Sequence, residues 1–280
     1  MQSDKIHLLV TVDQNYMKPL QTMLKSFVVN NTGEAVHVWL LHSGIPQDSL
    51  NLLTEYCNMQ RMTLTDVLVD AAIFADAPKS KRYPQEMYYR LLAPLLLPES
   101  VEKILYLDPD ILVINAVRPL WETALDGCAF AAASHSIVPD MVDDVNRMRL
   151  RTDHAYFNTG VILMDLKLAR ELVSADDIFE YVREHPSELL LPDQDVFNSL
   201  YGAFTKQVDD VVWNYDARRF SAYKLASGGK CSMDWVMENT AILHFCGTQK
   251  PWKPSHTSRF SALYKHYMFL AKRQVELLPH

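Results

Sequence analysis

Residues 6–28, IHLLVTVDQNYMKPLQTMLKSFV, carry two periodicities in succession. Ile6 to Val12 is an apolar run of strand length, and from Tyr16 onward Leu20, Met23, Leu24, Phe27 and Val28 recur at helical spacing. The stretch therefore predicts a buried strand followed by a helix. The unit repeats: Val36 to Leu41 is a second apolar run, closed by Ser43, Gly44 and Pro46, and Leu50, Leu53 and Cys57 mark a second helix before a third strand over Met62 to Val67. Strands alternating with helices imply parallel pairing with helices on both faces, an α/β, doubly wound class.

Further along, Pro78 to Pro84 reads as an irregular connector and Glu86 to Ala93 as a helix leading to a strand over Lys103 to Leu107. Cys128 to Ala133 and Val161 to Met164 are apolar strands separated by a polar loop or helical excursion, Ser134 to Thr152. Helical patterns follow at Leu166 to Val173, Ile178 to Arg183 and Asp195 to Leu200. No internal repeat and no Gly- or Ser-rich linker divides the chain, which predicts one domain with inserted loops.

The 280 residues carry a net charge of −7 and are 49% hydrophobic, which excludes disorder and disfavours a nucleic-acid binder, whose phosphate contacts need a basic face. Cys57, Cys128, Cys231 and Cys246 form no Cys-x-x-Cys pair, so they suggest neither a zinc ribbon nor a dithiol redox site and read as reduced thiols. The first residues lack the basic and long apolar regions of a secretory signal. No apolar stretch approaches the roughly 18 to 20 residues of a membrane span. The expected location is the cytoplasm.

Two Asp-x-Asp triplets occur, Asp108/Asp110 and Asp193/Asp195, about the number that composition alone would produce. Setting distinguishes the first. Asp108-Pro109-Asp110 directly follows the strand Ile104 to Leu107, and ligands of open α/β sheets bind beyond the carboxyl ends of strands. Residues i and i+2 of an extended segment project to one side, so both carboxylates would converge. At about 5 Å they repel by roughly 3 kcal/mol at an effective dielectric near 20, which favours a cation between them. Oxygen ligation suits Mg²⁺ or Mn²⁺, and an added imidazole tilts the choice to Mn²⁺. The alternative is an Asp-Pro-Asp turn whose carboxylates accept backbone N–H bonds.

Four segments in fixed order carry a resemblance: Ile104 to Asp110, Tyr156-Phe157-Asn158-Thr159-Gly160-Val161-Ile162-Leu163-Met164-Asp165, Leu191-Pro192-Asp193-Gln194-Asp195-Val196-Phe197-Asn198, and His244-Phe245-Cys246-Gly247-Thr248-Gln249-Lys250-Pro251-Trp252. With Thr11 to Tyr16 and Tyr88-Tyr89-Arg90-Leu91, the chain from about Ile6 to Trp252 resembles the retaining glycosyltransferases of family eight. That group includes bacterial lipopolysaccharide galactosyl- and glucosyltransferases and glycogenin. Two positions depart from the pattern: Gln14 stands where many members have an acid, and many have one shortly after the strand ending Ala132-Ala133-Ser134-His135.

The resemblance implies a single Rossmann-like, glycosyltransferase A-type domain over residues 1–255 with a mostly parallel sheet, followed by a helical tail over 256–280. It also implies a UDP-sugar donor, UDP-glucose or UDP-galactose, a glycan or lipid-linked acceptor, and Mn²⁺ (or Mg²⁺) held by Asp108, Asp110 and His244. Thr11, Asp13, Asn15 and Tyr16 would read the nucleoside, Gly247 and Lys250 the diphosphate, and Arg90 the diphosphate or the sugar hydroxyls. Asn158, Asp193, Gln194 and Asp195 would surround the hexose, with Gln194 near the anomeric carbon and Asp195 stabilising positive charge. Local readings stay open beside these: Asp13 or Asn15 as a helix cap, Asp193 as the cap of the helix near Asp195, His244 as a bonded core residue, and Arg90 and Lys250 as surface cations.

Residues 250–280 hold six basic side chains against one acid, and Phe260, Leu263, Tyr264, Tyr267, Ala271 and Val275 recur at helical spacing. This predicts either a terminal helix packed on its own domain or an interfacial helix making weak contact with an anionic membrane. Two further readings compete with hexose transfer to a separate acceptor. One is a noncatalytic nucleotide-sugar binder on the same fold. The other is glycogenin-like self-glucosylation, which needs a reactive surface tyrosine.

Overall fold

A computed structural model describes residues 4–74, 85–134 and 141–278 of the chain. The first half runs β1 (Ile6–Thr11), α1 (Met17–Asn30), β2 (Val36–His42), α2 (Gln47–Met59), β3 (Met62–Leu68), α3 (Tyr89–Leu96), β4 (Lys103–Leu107), β5 (Ile111–Val113), α4 (Arg118–Trp121), β6 (Phe130–Ser134) and α5 (Met141–Leu150). The second half runs β7 (Phe157–Asp165), α6 (Leu166–Leu172), α7 (Ala175–Glu184), α8 (Pro192–Tyr201), β8 (Thr205–Val208), α9 (Asp210–Trp213), β9 (Tyr215–Asp216), α10 (Phe220–Ala226), α11 (Met233–Asn239), β10 (Ile242–His244) and α12 (Ser261–Val275). The expected connector over Pro78 to Pro84 lies outside the described residues, as does His135.

Seven strands form one sheet in the order β3-β2-β1-β4-β7-β6-β8. Every pairing is parallel except those of β7, which runs antiparallel to β4 and β6. The chain winds outward from β1 to β3, then returns to place β4 on the other side of β1. The order reverses between β1 and β4, and a crevice opens where their carboxyl ends diverge. Because β7 is reversed, its first residues lie at that same edge, with Asp108 N–H donating to Gly160 O at 2.8 Å.

A second, three-stranded sheet, β5-β10-β9, sits against this edge. Its strands are two or three residues long and gave no periodicity to read in the sequence. It decides the site nonetheless. β10 pairs with β5 so that His244 faces Ile111, and Phe245 N–H bonds Asp110 O at 3.0 Å, which brings a residue 134 positions distant beside the Asp-Pro-Asp turn.

Helices cover both sheet faces, as alternation implied. Leu20, Met23, Leu24 and Phe27 of α1 join Leu8, Val10, Val38 and Leu40 in one core, and α3, α6, α7 and α8 pack Leu92, Leu166, Ile178 and Val196 against Leu9, Tyr106 and Ile162 on the other. A third cluster lies under the small sheet, where Tyr215, Tyr223, Phe260, Tyr264 and Tyr267 meet. The last helix is therefore part of the body. Ala271 and Leu278 enter the α1 core while Tyr264 and Tyr267 enter the third, so the apolar stripe expected to face lipid is spent on packing. Among the described residues no helix is long and apolar enough to cross a membrane.

Candidate active site

The site is assembled from strand ends. Thr11 closes β1, and Asp13 follows it, accepting from the N–H of Asn15 (2.9 Å) and Tyr16 (3.1 Å) to cap a short 3-10 turn ahead of α1. Asp108 and Asp110 follow β4. A cavity of about 450 Å³ lies between them, lined by Thr11, Asp13, Tyr16, Met87, Arg90, Asp108, Asp110 and Lys250. Asn15 does not line it. Its amide donates to Asp13 Oδ2 at 3.1 Å, and the residue borders a separate apolar groove of about 480 Å³ between α1 and α12.

The two carboxylates and His244 converge as the Asp-x-Asp reading expects. His244 Nε2 is 3.3 Å from Asp110 Oδ1 and 3.7 Å from Asp108 Oδ2, and one donor atom of each residue lies within 4.8 Å of the others. Two carboxylate oxygens and an imidazole nitrogen form a donor set suited to a divalent cation. Protein cations balance the charge here: Arg90 Nη1 is 3.0 Å from Asp108 Oδ1, and Lys250 Nζ bonds Asp110. Burial opposes the charge on Asp110, but His244 and Lys250 outweigh it and hold the carboxyl far below its usual range. Burial likewise opposes charge on His244, while Cys246 and Asp110 hold its pKa well above that of an ordinary histidine. Tyr106 O–H donates to Asp108 Oδ1 at 2.5 Å and so orients the first ligand.

Arg90 joins this group to the next. Its Nη1 also lies 3.3 Å from Asp193 Oδ2 and donates to Thr159 O at 3.1 Å, and its guanidinium stacks 4.6 Å over the Tyr106 ring. It is a buried hub, not the surface cation of the local reading. Asp193 is the second residue of α8 rather than its cap: Leu191 is the cap residue and Pro192 opens the helix. Burial raises the Asp193 pKa against the pull of Arg90. Asn158 and Gln194 touch, Nδ2 to Oε1 at 3.3 Å.

Asp195 is placed differently from its neighbours. It is completely buried, and its oxygens accept from Arg149 Nη2 (2.7 Å) and Nη1 (3.0 Å), Tyr156 O–H (2.6 Å), Leu190 N–H (2.6 Å) and Leu191 N–H (2.9 Å). A carboxylate so enclosed and paired is an anchor for the start of α8, with no lone pair turned to the cavity. Gly247 adopts φ +83°, a backbone conformation that favours glycine, whereas the end of the Arg218 side chain, 2.7 Å from where a Cβ would stand, is free to swing aside. Gln14, at one departing position, donates to Ser49 Oγ at 3.0 Å on the surface.

Sequence reasoning missed Gly160, although it lies in a quoted motif. A Cβ on Gly160 would stand 2.2 Å from His244 Cε1 and 2.8 Å from Asp108 Oδ2, so only glycine lets the imidazole approach the carboxylates. Asn214, buried between α9 and β9, was also missed; its Oδ1 lies 2.9 Å from His244 Nδ1, and nothing in Val211 to Asp216 signals that contact.

The family model Glycosyl transferase family 8 matches residues 7–255. The chain belongs to this family. Similar to this glycosyltransferase is general stress protein A of Bacillus subtilis (strain 168), 27% identical over 281 residues and covering 97% of this chain and 96% of that protein. Glycosyltransferase GlyF of Streptococcus pneumoniae is 28% identical over 93% of the chain, which spans 60% of that protein's length. Lipopolysaccharide 1,2-glucosyltransferase of Escherichia coli (strain K12) is 23% identical, over 89% of this chain and 73% of its own. The galactosyltransferase LgtC, solved with donor and acceptor sugar analogs, superposes with a TM-score of 0.79 at 21% identity, covering 95% of this chain and 96% of that one. The family 8 chain thus has the glycosyltransferase A-type fold.

Proposed function

We propose that this family 8 enzyme moves a hexose from UDP-glucose or UDP-galactose to a hydroxyl of a glycan or lipid-linked sugar in the cytoplasm, with Mn²⁺ as its cation. The observation that carries this reading is the meeting of Asp108, Asp110 and His244 beside a cavity that Asp108, Asp110, Arg90 and Lys250 line. These three side chains would hold the cation, which when bound neutralises the leaving diphosphate. Thr11, Asp13 and Tyr16 offer hydroxyl and carboxylate groups to the nucleoside. Lys250 and the Gly247 turn bind the diphosphate, and Arg90 sits between diphosphate and hexose. Asn158, Asp193 and Gln194 orient the hexose hydroxyls.

Among the described residues, neither carboxylate of the expected sugar site is free to act as a nucleophile: Asp195 is enclosed by Arg149 and Tyr156, and Asp193 is tied to Arg90. A retaining route through a carboxylate adduct therefore has no support in these residues. The acceptor hydroxyl attacks on the face from which UDP departs, and a phosphate oxygen takes its proton. Self-glucosylation has little to recommend it, since among the described tyrosines Tyr16 and Tyr181 are half-buried and the others buried.

UDP release from each UDP-sugar, with and without Mn²⁺ and a glycan acceptor, tests the reading. Metal-independent or absent hydrolysis and no Mn²⁺-dependent binding of UDP would overturn it. A weak peripheral contact with an anionic membrane belongs to the same proposal and rests on Phe269 and Leu277, exposed beside Lys272 and Arg273 on α12 and its end. Salt-sensitive cosedimentation with anionic vesicles, reduced in Lys272→Glu/Arg273→Glu, is expected; equal recovery with neutral vesicles would remove it.

A further inference from the structure

The three amides Asn158, Asn214 and Gln194 form a chain whose polarity is fixed from one end. Gly160 N–H donates to Asn158 Oδ1 at 2.9 Å, and a backbone amide can only donate. That contact settles which end of the Asn158 amide is oxygen. Asn214 also meets Asn158 Oδ1 at 2.9 Å and must therefore present its NH₂ group there. Its Oδ1 is then turned to His244 Nδ1, 2.9 Å away, which must carry a proton to make the bond. Nε2, the atom that faces Asp108 and Asp110, is then the nitrogen that can release its proton and turn a lone pair to a cation. In the other direction Asn158 Nδ2 is committed to Gln194 Oε1 at 3.3 Å.

We infer that Asn214 is a positioning residue that keeps a proton on His244 Nδ1, so that the ring ligates a cation through Nε2, and couples that ligand to the amides of the sugar site. Asn214 is wholly buried, as is Asn198, whose Oδ1 accepts from Phe157 N–H (2.7 Å) and whose amide donates to Phe157 O (2.8 Å), so the strand end bearing Asn158 cannot shift to accommodate a change. An outer partner of a ligating histidine orients its ring, and losing such a partner typically weakens metal affinity 10- to 100-fold. Here the partner is an amide rather than a carboxylate, and it has a second duty. An amide can accept from His244 and donate to Asn158 at once, which an ionised carboxylate cannot.

That double duty separates two substitutions. In Asn214→Asp the carboxylate still accepts from Nδ1–H, but it meets Asn158 Oδ1, which Gly160 prevents from turning away. In Asn214→Ala both bonds are lost. The inference rests on the metal site of the proposed function, so Mn²⁺ alone is the probe, titrated by water-proton relaxation with no sugar nucleotide present. Asn214→Ala should bind Mn²⁺ 10- to 100-fold more weakly than wild type, whereas Asn214→Asp should bind it at least as tightly yet turn over at least tenfold more slowly. A third readout needs no metal: with ¹⁵N-labelled histidine, the His244 Nδ1–H proton should be protected from exchange in wild type and Asn214→Asp and lost in Asn214→Ala. Thermal melts of each variant separate these effects from unfolding. Equal Mn²⁺ affinity in wild type and Asn214→Ala, equal weakening in both variants, or an unprotected Nδ1–H in the folded wild type would overturn the inference. If wild type binds no Mn²⁺ while Nδ1–H is protected as expected, the proposed function fails and the positioning role stands.

Discussion

Gly160 shows how much one absent methyl can decide. A Cβ there would stand 2.2 Å from the His244 ring, well inside any tolerated contact, and both β7 and β10 are held by their ladders. Gly160→Ala is expected to displace His244 and weaken Mn²⁺ binding by about tenfold or more, the scale on which ligand misorientation acts. Calorimetric titration with Mn²⁺ checks it, and unchanged affinity in a folded variant would show that the ring has room to move. Asp110→Asn tests the charge instead of the space. The amide fills the same volume but gives Lys250 and a cation no full negative charge, so transfer should fall by more than a hundredfold in a variant that still folds, with some loss of melting temperature from the unpaired Lys250. Wild-type activity at limiting Mn²⁺ would exclude Asp110 as a ligand.

At the scale of elements, β1 and β2 carry a pH dependence of their own. The His7 and His37 rings lie tilted to each other with centres 5.7 Å apart, Trp39 Nε1 donates to His7 Nδ1 at 3.0 Å, and His37 Nδ1 is 2.7 Å from Thr63 Oγ1. Burial, then the neighbouring His7 and Lys5, lower the His37 pKa from 6.5 to about 4. The unfolded chain therefore binds this proton more readily than the folded one, and the associated stability is present above pH 6.5 and lost as pH falls toward 4. His37→Gln should show a shallower fall in melting temperature between pH 7 and about pH 4.5 than wild type; parallel curves would contradict the shift. The last helix makes a separate expectation. Removal of everything after Pro254 takes Phe260, Tyr264, Tyr267, Ala271 and Leu278 out of two cores, so the shortened chain should fail to melt cooperatively. A cooperative melt near the wild-type midpoint would show that α12 is dispensable.

Across the whole molecule, the site depends on ties between distant segments. Asp195 fastens α5, the entry to β7 and the start of α8 through Arg149, Tyr156 and the Leu190 and Leu191 amides. Losing one partner of such a pair leaves a poorly compensated charge, and because Arg149 retains some solvent contact the cost should lie near the lower end, about 2 kcal/mol. Asp195→Asn should lower the unfolding free energy by that amount in urea, and should reduce turnover by loosening Asp193 and Gln194 in the first turn of α8. A variant as stable as wild type but without activity would instead put the Asp195 charge at the reaction itself.

The strand and helix alternation over residues 6 to 68, the strand at Lys103 to Leu107 and the helices from Leu166 to Leu200 were legible in the chain because burial imposes periods of 2 and 3.6 on apolar residues. The place of the Asp-Pro-Asp turn was legible for a related reason: chain order puts it after a strand of an open sheet, where ligands bind. The direction of β7 was not legible, since a buried strand has the same apolar composition whichever way it runs. Nor were β5 and β9, too short for any period to show, whereas the apolar Ala241 to Leu243 before His244 does read as a strand. Gly160, Asn214 and the enclosure of Asp195 were hidden for a deeper reason. Each acts through a neighbour at least 30 positions away, across space that only the packed sheets define, and the residue types themselves are commonplace. The chain determined which groups the site would contain; the fold decided which of them meet and which are consumed in holding the others in place.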